Sequence, residues 1–312
     1  MEARVGSSSL RTLGSAALLR RALPSGEFSG RPGGQFQVDS TAWGILALTA
    51  CGGSAELLDQ SRHLLMREQL PDGRLCVKKP HPASYWPTSL AILAWQDSQS
   101  CSEAQQRSVR FLLNTTGFHF PRQSDAPSAH DSLLKGWPWV DETHSWVEPT
   151  AMSVMALRAT GHGRHDRVQE AVRMLLDRQL PHGGWNYGNT LVFGKELHPM
   201  PENTGAALAG LSGSVDRDVV LPSLQYLHSE VARLQTPISL GWSLLGLAAW
   251  QMAPPNAATL VERCLANQKR YGEYETSALC LLVLGALAME MGGQIPLLSA
   301  SVYKGLPLAL TQ

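Results

Sequence analysis

The chain predicts an all-α fold, a closed double ring of alternating outer and inner helices, and three observations carry the prediction. First, the segment Leu-Pro-x-Gly-x-(aromatic or Leu) recurs at Leu23–Phe28, Leu70–Leu75 and Leu180–Trp185. A phrase repeated at multiples of one unit length means one supersecondary unit used several times. Second, each copy closes a run that is apolar on one face only. Third, after each turn and a loop of variable length comes a small-residue, apolar segment centred on a hydroxyl, with almost no charge beyond its first turn.

Taken in order, the first outer run lies near 8–23 and ends at the first Leu-Pro turn, and the first inner run, near 40–52, opens on Asp39-Ser40-Thr41. The outer run 55–70 places Leu57, Leu58, Leu64 and Leu65 at helical spacing, and the inner run 86–97 opens on Trp86-Pro87-Thr88. Outer 102–115 precedes inner 148–161, which opens on Glu148-Pro149-Thr150. Outer 166–180 carries Val168, Val172, Leu175 and Leu176, and inner 202–213 opens on Glu202-Asn203-Thr204. Outer 217–234 and 257–268 flank inner 238–252, which is bounded by Pro237, Pro254 and Pro255. The last inner run, 274–291, opens on Glu275-Thr276. One-sided helices and helices apolar all round are both satisfied if the first kind rings the second. Six pairs suffice to close, and no polar capping repeat stands at either end. One domain over 1–312 is expected, with an insertion near 119–145.

The stretch Leu23 to Cys51, with Pro24-Ser25-Gly26-Glu27-Phe28, Gly30-Arg31-Pro32-Gly33-Gly34 and Asp39-Ser40-Thr41-Ala42, resembles the repeat shared by protein prenyltransferase β-subunits and squalene or oxidosqualene cyclases. Similar copies run from Gln69 to Trp95 and from Gln179 to Leu211, the latter with the Gln-x-x-x-Gly-x-Trp form of the cyclase repeat, and Gln268-x-x-x-Gly272-x-Tyr274 is a weaker fourth. The resemblance implies an (α/α)6 toroid whose central cavity accepts isoprenoid chains. Function does not follow from fold alone.

Composition narrows the alternatives. With 312 residues, 44% of them hydrophobic, one ring of helices uses nearly all of the chain. Lys plus Arg and Asp plus Glu both total 26, without a basic run, so nucleic acid is not an expected partner. Five cysteines, odd in number and without Cys-x-x-Cys spacing, fit reduced thiols in a cytoplasmic protein. The apolar stretches 276–289 and 240–252 are too short to span a bilayer. Peripheral membrane contact stays open, as does a protein partner completing the site.

The position two residues before the inner-helix threonine holds Asp39, Glu148 and Glu202, which a toroid gathers at one end of its cavity. Burial there disfavours the charged form and raises a carboxyl pKa, as an acid catalyst requires. Capping and the helix dipole favour the same residues at the same place. Gln37-Val38-Asp39-Ser40-Thr41-Ala42 resembles the Asp-x-Asp-Asp-Thr-Ala acid motif of squalene-hopene-type cyclases. Asp39 holds the place of the proton donor, and Gln37 and Ser40 replace the other two aspartates.

The zinc site of the prenyltransferases finds no counterpart, since Asp-x-Cys is absent and Asn203 stands where that family has its histidine. No metal or other cofactor is expected. Trp43, Trp86 and Trp146, at inner-helix starts, are candidates to line the cavity, where ring quadrupoles favour positive charge. Trp185 belongs to the repeat and should pack between outer helices. The insertion, with Trp137 and Trp139, is either a lid over the mouth or a packed surface loop. The sequence therefore points to a terpenoid-cyclase or prenyltransferase-like protein that binds an isoprenoid or other apolar chain. Asp39 is the candidate acid, and Glu148, Glu202, Asn203, Trp43, Trp86 and Trp146 are the candidate ligand contacts. The competing class is a non-catalytic toroid, a lipid carrier or a protein-interaction scaffold.

Overall fold

The computed structural model describes residues 7–121 and 129–298. The outer helices are α1 (Ser7–Leu19), α3 (Ala55–Arg67), α5 (Ser102–Asn114), α7 (Asp166–Asp177), α9 (Arg217–Glu230) and α11 (Ala257–Ala266). The inner helices are α2 (Val38–Cys51), α4 (Pro87–Ala94), α6 (Val147–Ala159), α8 (Pro201–Leu211), α10 (Pro237–Ala249) and α13 (Thr276–Glu290). A single turn, α12 (Gln268–Tyr271), and a short hairpin of β1 (Leu191–Val192) and β2 (Lys195–Glu196) interrupt the alternation. Neighbouring inner helices pack in chain order, and α13 packs back against α2, so the ring is closed. The fold is the all-α toroid expected from the pattern of one-sided and fully apolar runs. Among the described residues no helix is long and apolar enough to cross a membrane.

Hydrogen bonds give the repeated phrase its physical meaning. Gly26, Gly73 and Gly183 have φ of 97°, 97° and 96°, a left-handed conformation that side chains with a β-carbon resist. A β-carbon on Gly73 would also lie 2.4 Å from the carbonyl oxygen of Arg107 on the next outer helix. In each case the next outer helix reaches back: Ser61 of α3 donates its hydroxyl to Gly26 O at 2.5 Å and Ser108 of α5 to Gly73 O at 2.6 Å. The repeat glutamines bind the serine of the following outer helix, Gln69 to Ser108 at 2.9 Å and Gln179 to Ser223 at 2.8 Å, and Ser223 accepts from the N–H of Gly184 at 2.7 Å.

Two residues beyond the glycine, the backbone N–H of the large residue donates to the inner-helix threonine. These bonds join Phe28 to Thr41 (3.0 Å), Leu75 to Thr88 (2.9 Å) and Trp185 to Thr204 (3.0 Å), and Trp137, which directly follows Gly136 outside the phrase, makes the same bond to Thr150 (2.9 Å). Each is buried, so removing its acceptor would strand a donor at a cost of about 1–3 kcal/mol. One phrase thus ties an outer helix, its inner partner and the next outer helix together.

The seam where the chain's ends meet uses different bonds. Thr276 donates its N–H to Gly30 O (2.8 Å) and its hydroxyl to Ser29 O (2.6 Å), and the Arg21 guanidinium donates to Tyr274 O (3.0 Å). Thr276 therefore does not play the part of the other inner-helix threonines. Leu279 stands in their place: its N–H closes the first turn onto Glu275 O, as Thr41 does onto Gln37 O and Thr204 onto Met200 O. The opening of α13 lies three residues later in register than Glu275-Thr276 implies, because the threonine is used to close the ring.

Candidate functional site

Five inner helices present residues four apart to the centre of the ring: Asp39 and Trp43, Trp86 and Leu90, Glu148 and Met152, Ile238 and Trp242, Ser277 and Leu281. Residues i and i+4 lie on one helix face, so each pair forms a short stripe within the first two turns. Relative to the residue whose N–H closes the first turn (Thr41, Thr88, Thr150, Leu240 and Leu279), the stripes occupy positions −2 and +2. With Trp139 from the insertion, Pro149 and Ala278, they enclose a cavity of about 190 Å³. It lies at the N-terminal end of the ring, where Ile238 is 48% exposed.

Aromatic walls dominate the hollow. Trp43 and Trp242 meet edge to face with centroids 6.1 Å apart, and Trp86 and Trp139 do the same at 5.5 Å. Two carboxyl groups interrupt the apolar lining, and among the described residues no Lys, Arg or His contributes to it. Glu148 accepts a hydrogen bond from the Trp242 indole N–H at 3.2 Å. Burial pushes the Glu148 carboxyl up to about 7, with the indole bond opposing the effect and Glu202 adding to it. Burial also raises Asp39, opposed by backbone N–H groups at Ser40 and at its own position, while nearby Glu275 pushes it further up. The Ser40 hydroxyl donates to the Gln37 side chain at 3.0 Å, so the two residues replacing aspartates of the cyclase motif bind each other.

The structure brings four of the residues singled out in the sequence, Asp39, Trp43, Trp86 and Glu148, around one cavity and leaves three outside its lining. Glu202, on α8, accepts from the Ser239 hydroxyl of α10 at 2.8 Å. Asn203 is buried at 1% exposure with no hydrogen-bond partner for its side-chain nitrogen. Trp146 stacks on His144 with centroids 4.1 Å apart. Trp185 is fully buried and donates its indole N–H to Leu175 O on α7, the packing role expected of it.

The two insertion tryptophans divide. Trp137 is buried under the Arg167 guanidinium, 3.9 Å from its ring centroid, and donates to Leu112 O. Trp139 faces the cavity. Segment 122–128 of the insertion lies outside the described residues. Trp139, named with the insertion, Trp242, a ring at an inner-helix start, and Leu281 line the cavity although none of them was among the candidate ligand contacts. The signal for Trp242 was available, since it follows the start of α10 by the same five residues that separate Trp43 from the start of α2.

A larger groove of about 340 Å³ runs on the outside of the ring between α1 and α11, over α13. Its described lining is mostly aliphatic, with Arg20, Arg21 and Gln268 and neither an acid nor an aromatic ring. The central cavity, though smaller, is where titratable and aromatic groups converge. Among the described residues, no three His, Cys, Asp or Glu side chains gather where they could share a metal ion.

No family model matches the chain, and no curated protein matches it by sequence. Solved structures match by fold. An α-1,6-mannanase, GH76A of Salegentibacter, in an inactive variant bound to α-1,6-mannotriose, is similar with a TM-score of 0.62 at 12% identity, covering 91% of this chain and 99% of its own. The apo type II terpene cyclase MstE from Scytonema has a TM-score of 0.59 at 12% identity, covering 92% and 99%. A protein from Actinoplanes has a TM-score of 0.58 at 14% identity over the same shares. At these identities the likeness is one of fold.

Proposed function

We propose that this is a terpenoid-cyclase-like toroid whose central cavity takes the end of an isoprenoid or similar apolar chain. The observation that carries the reading is the cavity itself, four indoles and several aliphatic side chains around two acids. An apolar hollow of about 150 Å³ holds a benzene ring, so one of this size takes roughly seven or eight carbons. That is the branched head of a chain whose remainder leaves through the mouth. The fold is shared with a type II terpene cyclase, which supports the reading without proving it.

The two acids suit an acid-initiated rearrangement. Asp39, which keeps the place of the proton donor in the motif it resembles, is the donor, and Glu148, the other carboxyl of the lining, is the acceptor. The electron pair of a terminal alkene forms the new C–H bond with the proton of Asp39, and positive charge passes to the neighbouring carbon, facing Trp43 and Trp242. Loss of a proton to Glu148 regenerates an alkene, and water at the mouth returns the proton to Asp39. Substrate and product are then isomers.

A sugar reading, prompted by the mannanase fold, fits less well. A saccharide needs a hydrogen-bonding partner for nearly every hydroxyl, whereas the lining offers two carboxyls, one serine hydroxyl and the indole N–H groups. The test is mass spectrometry of apolar molecules co-purifying with the protein and with Asp39→Asn. The expected result is a prenyl-type ligand in both and a rearranged isomer only with the unaltered chain. A ligand unchanged by the substitution would make the toroid a carrier, and absence of any apolar ligand would leave the scaffold reading.

A further inference from the structure

We propose that the central cavity recognises an alkylammonium group, so that the head of the chain it takes carries a fixed positive charge. The inference rests on the reading of the central cavity as the site of an apolar-chain ligand, and for a cationic head it replaces alkene protonation by binding to the two carboxyls in their ionised form. Four indoles, Trp43, Trp86, Trp139 and Trp242, wall the hollow, and both pairs are edge to face, so the rings present faces in several directions. A cation over a ring face gains about 0.5–2 kcal/mol per ring, and substituted ammonium ions are the ligands that aromatic cages recognise.

Charge balance points the same way. Asp39 and Glu148 both line the cavity and neither makes an ion pair with a described residue. The titratable groups acting on them are acids or thiols: Glu202 on Glu148, Glu275 on Asp39, and Cys280 of α13 within the range of Asp39. Buried carboxylates are ordinarily paired, and among the described residues the lining supplies this pair with no cation. A ligand with a compact ammonium head and apolar substituents provides the missing charge and fills the hydrophobic volume together. A neutral hydrocarbon does only the second. The indole N–H of Trp242 donates to Glu148, and both residues line the hollow.

The test compares choline and tetramethylammonium with 3,3-dimethylbutan-1-ol, the neutral isostere of choline, by calorimetric titration of the full chain at pH 8 and pH 5.5. The expected result is cation binding at least tenfold tighter than the neutral alcohol at pH 8. Preference should shrink at pH 5.5 as Glu148 takes up a proton, and it should fall about tenfold in Glu148→Gln. Asp39→Asn serves as the second variant, with cooperative thermal unfolding as the check that each is folded. Equal or tighter binding of the neutral alcohol would overturn the cation inference while leaving the apolar-cavity reading standing. Failure of all three probes in a folded protein would remove both.

Discussion

The two sides of the inner ring are built differently. On the side of α8, α10 and α13 glycines bring backbones into contact: a β-carbon on Gly205 would lie 2.2 Å from Trp242 O, and one on Gly246 2.6 Å from Gly205 O. The same holds between α10 and α13, where a β-carbon on Gly241 would lie 2.8 Å from Leu281 O and one on Gly285 2.7 Å from Gly241 O. On the side of α2, α4 and α6 the inner faces carry Trp43, Trp86, Leu90, Glu148 and Met152, and α4 meets α6 through a Ser89–Ser153 hydroxyl contact of 2.8 Å. The comparison shows how one ring both locks and hollows itself. Close backbone packing draws α8, α10 and α13 together, and the large side chains of α2, α4 and α6 bound the hollow opposite the first turns of α10 and α13. Trp242 belongs to both, its carbonyl against Gly205 and its ring in the cavity.

The sharpest way to break this arrangement is Gly205→Ala. The added methyl meets backbone atoms that cannot rotate away, so a loss of about 3 kcal/mol or more is expected, together with displacement of Trp242. Chemical denaturation with tryptophan fluorescence would measure both. A loss below about 1 kcal/mol would mean that the glycine side yields as readily as the tryptophan side.

A smaller effect sharpens the other side. Because the carboxyl of Glu148 is raised from 4.5 to about 7, the folded chain holds that proton more tightly than the unfolded chain. Its contribution is fully present below about pH 4.5 and is lost as pH rises to about 7, where the folded group ionises. The loss is roughly 2–3 kcal/mol after allowance for water reaching the hollow. Glu148→Gln removes the titration, so its stability relative to the unaltered protein should rise by that amount between pH 4.5 and 8. A pH-independent difference would place Glu148 in contact with bulk water.

Much of this organisation is legible in the sequence because the repeat is a local device. Leu-Pro-x-Gly, the serine of the following outer helix and the threonine of the inner helix bind one another, so their spacing recurs wherever the unit recurs. For that reason each of the twelve helices of the ring starts within two residues of its expected run. The site is less legible, because lining the cavity depends on how far each helix is pushed toward the centre. Glu202 shares the register of Asp39 and Glu148, yet it binds Ser239 outside the cavity lining. Helix α8, which carries it, is held against α10 by Gly205 and Gly246, and contributes no residue to the lining. Trp139 enters from a loop without period, and Thr276 misled the register of α13 because it serves the seam.

The most direct test of the account is a crystal structure of the protein exposed to iodobenzene, whose anomalous signal marks its position. The account predicts one strong site among Trp43, Trp86, Trp242 and Leu281, with both carboxyl groups at its edge. Iodine bound only in the outer groove between α1 and α11, with the indoles collapsed across an empty centre, would contradict it.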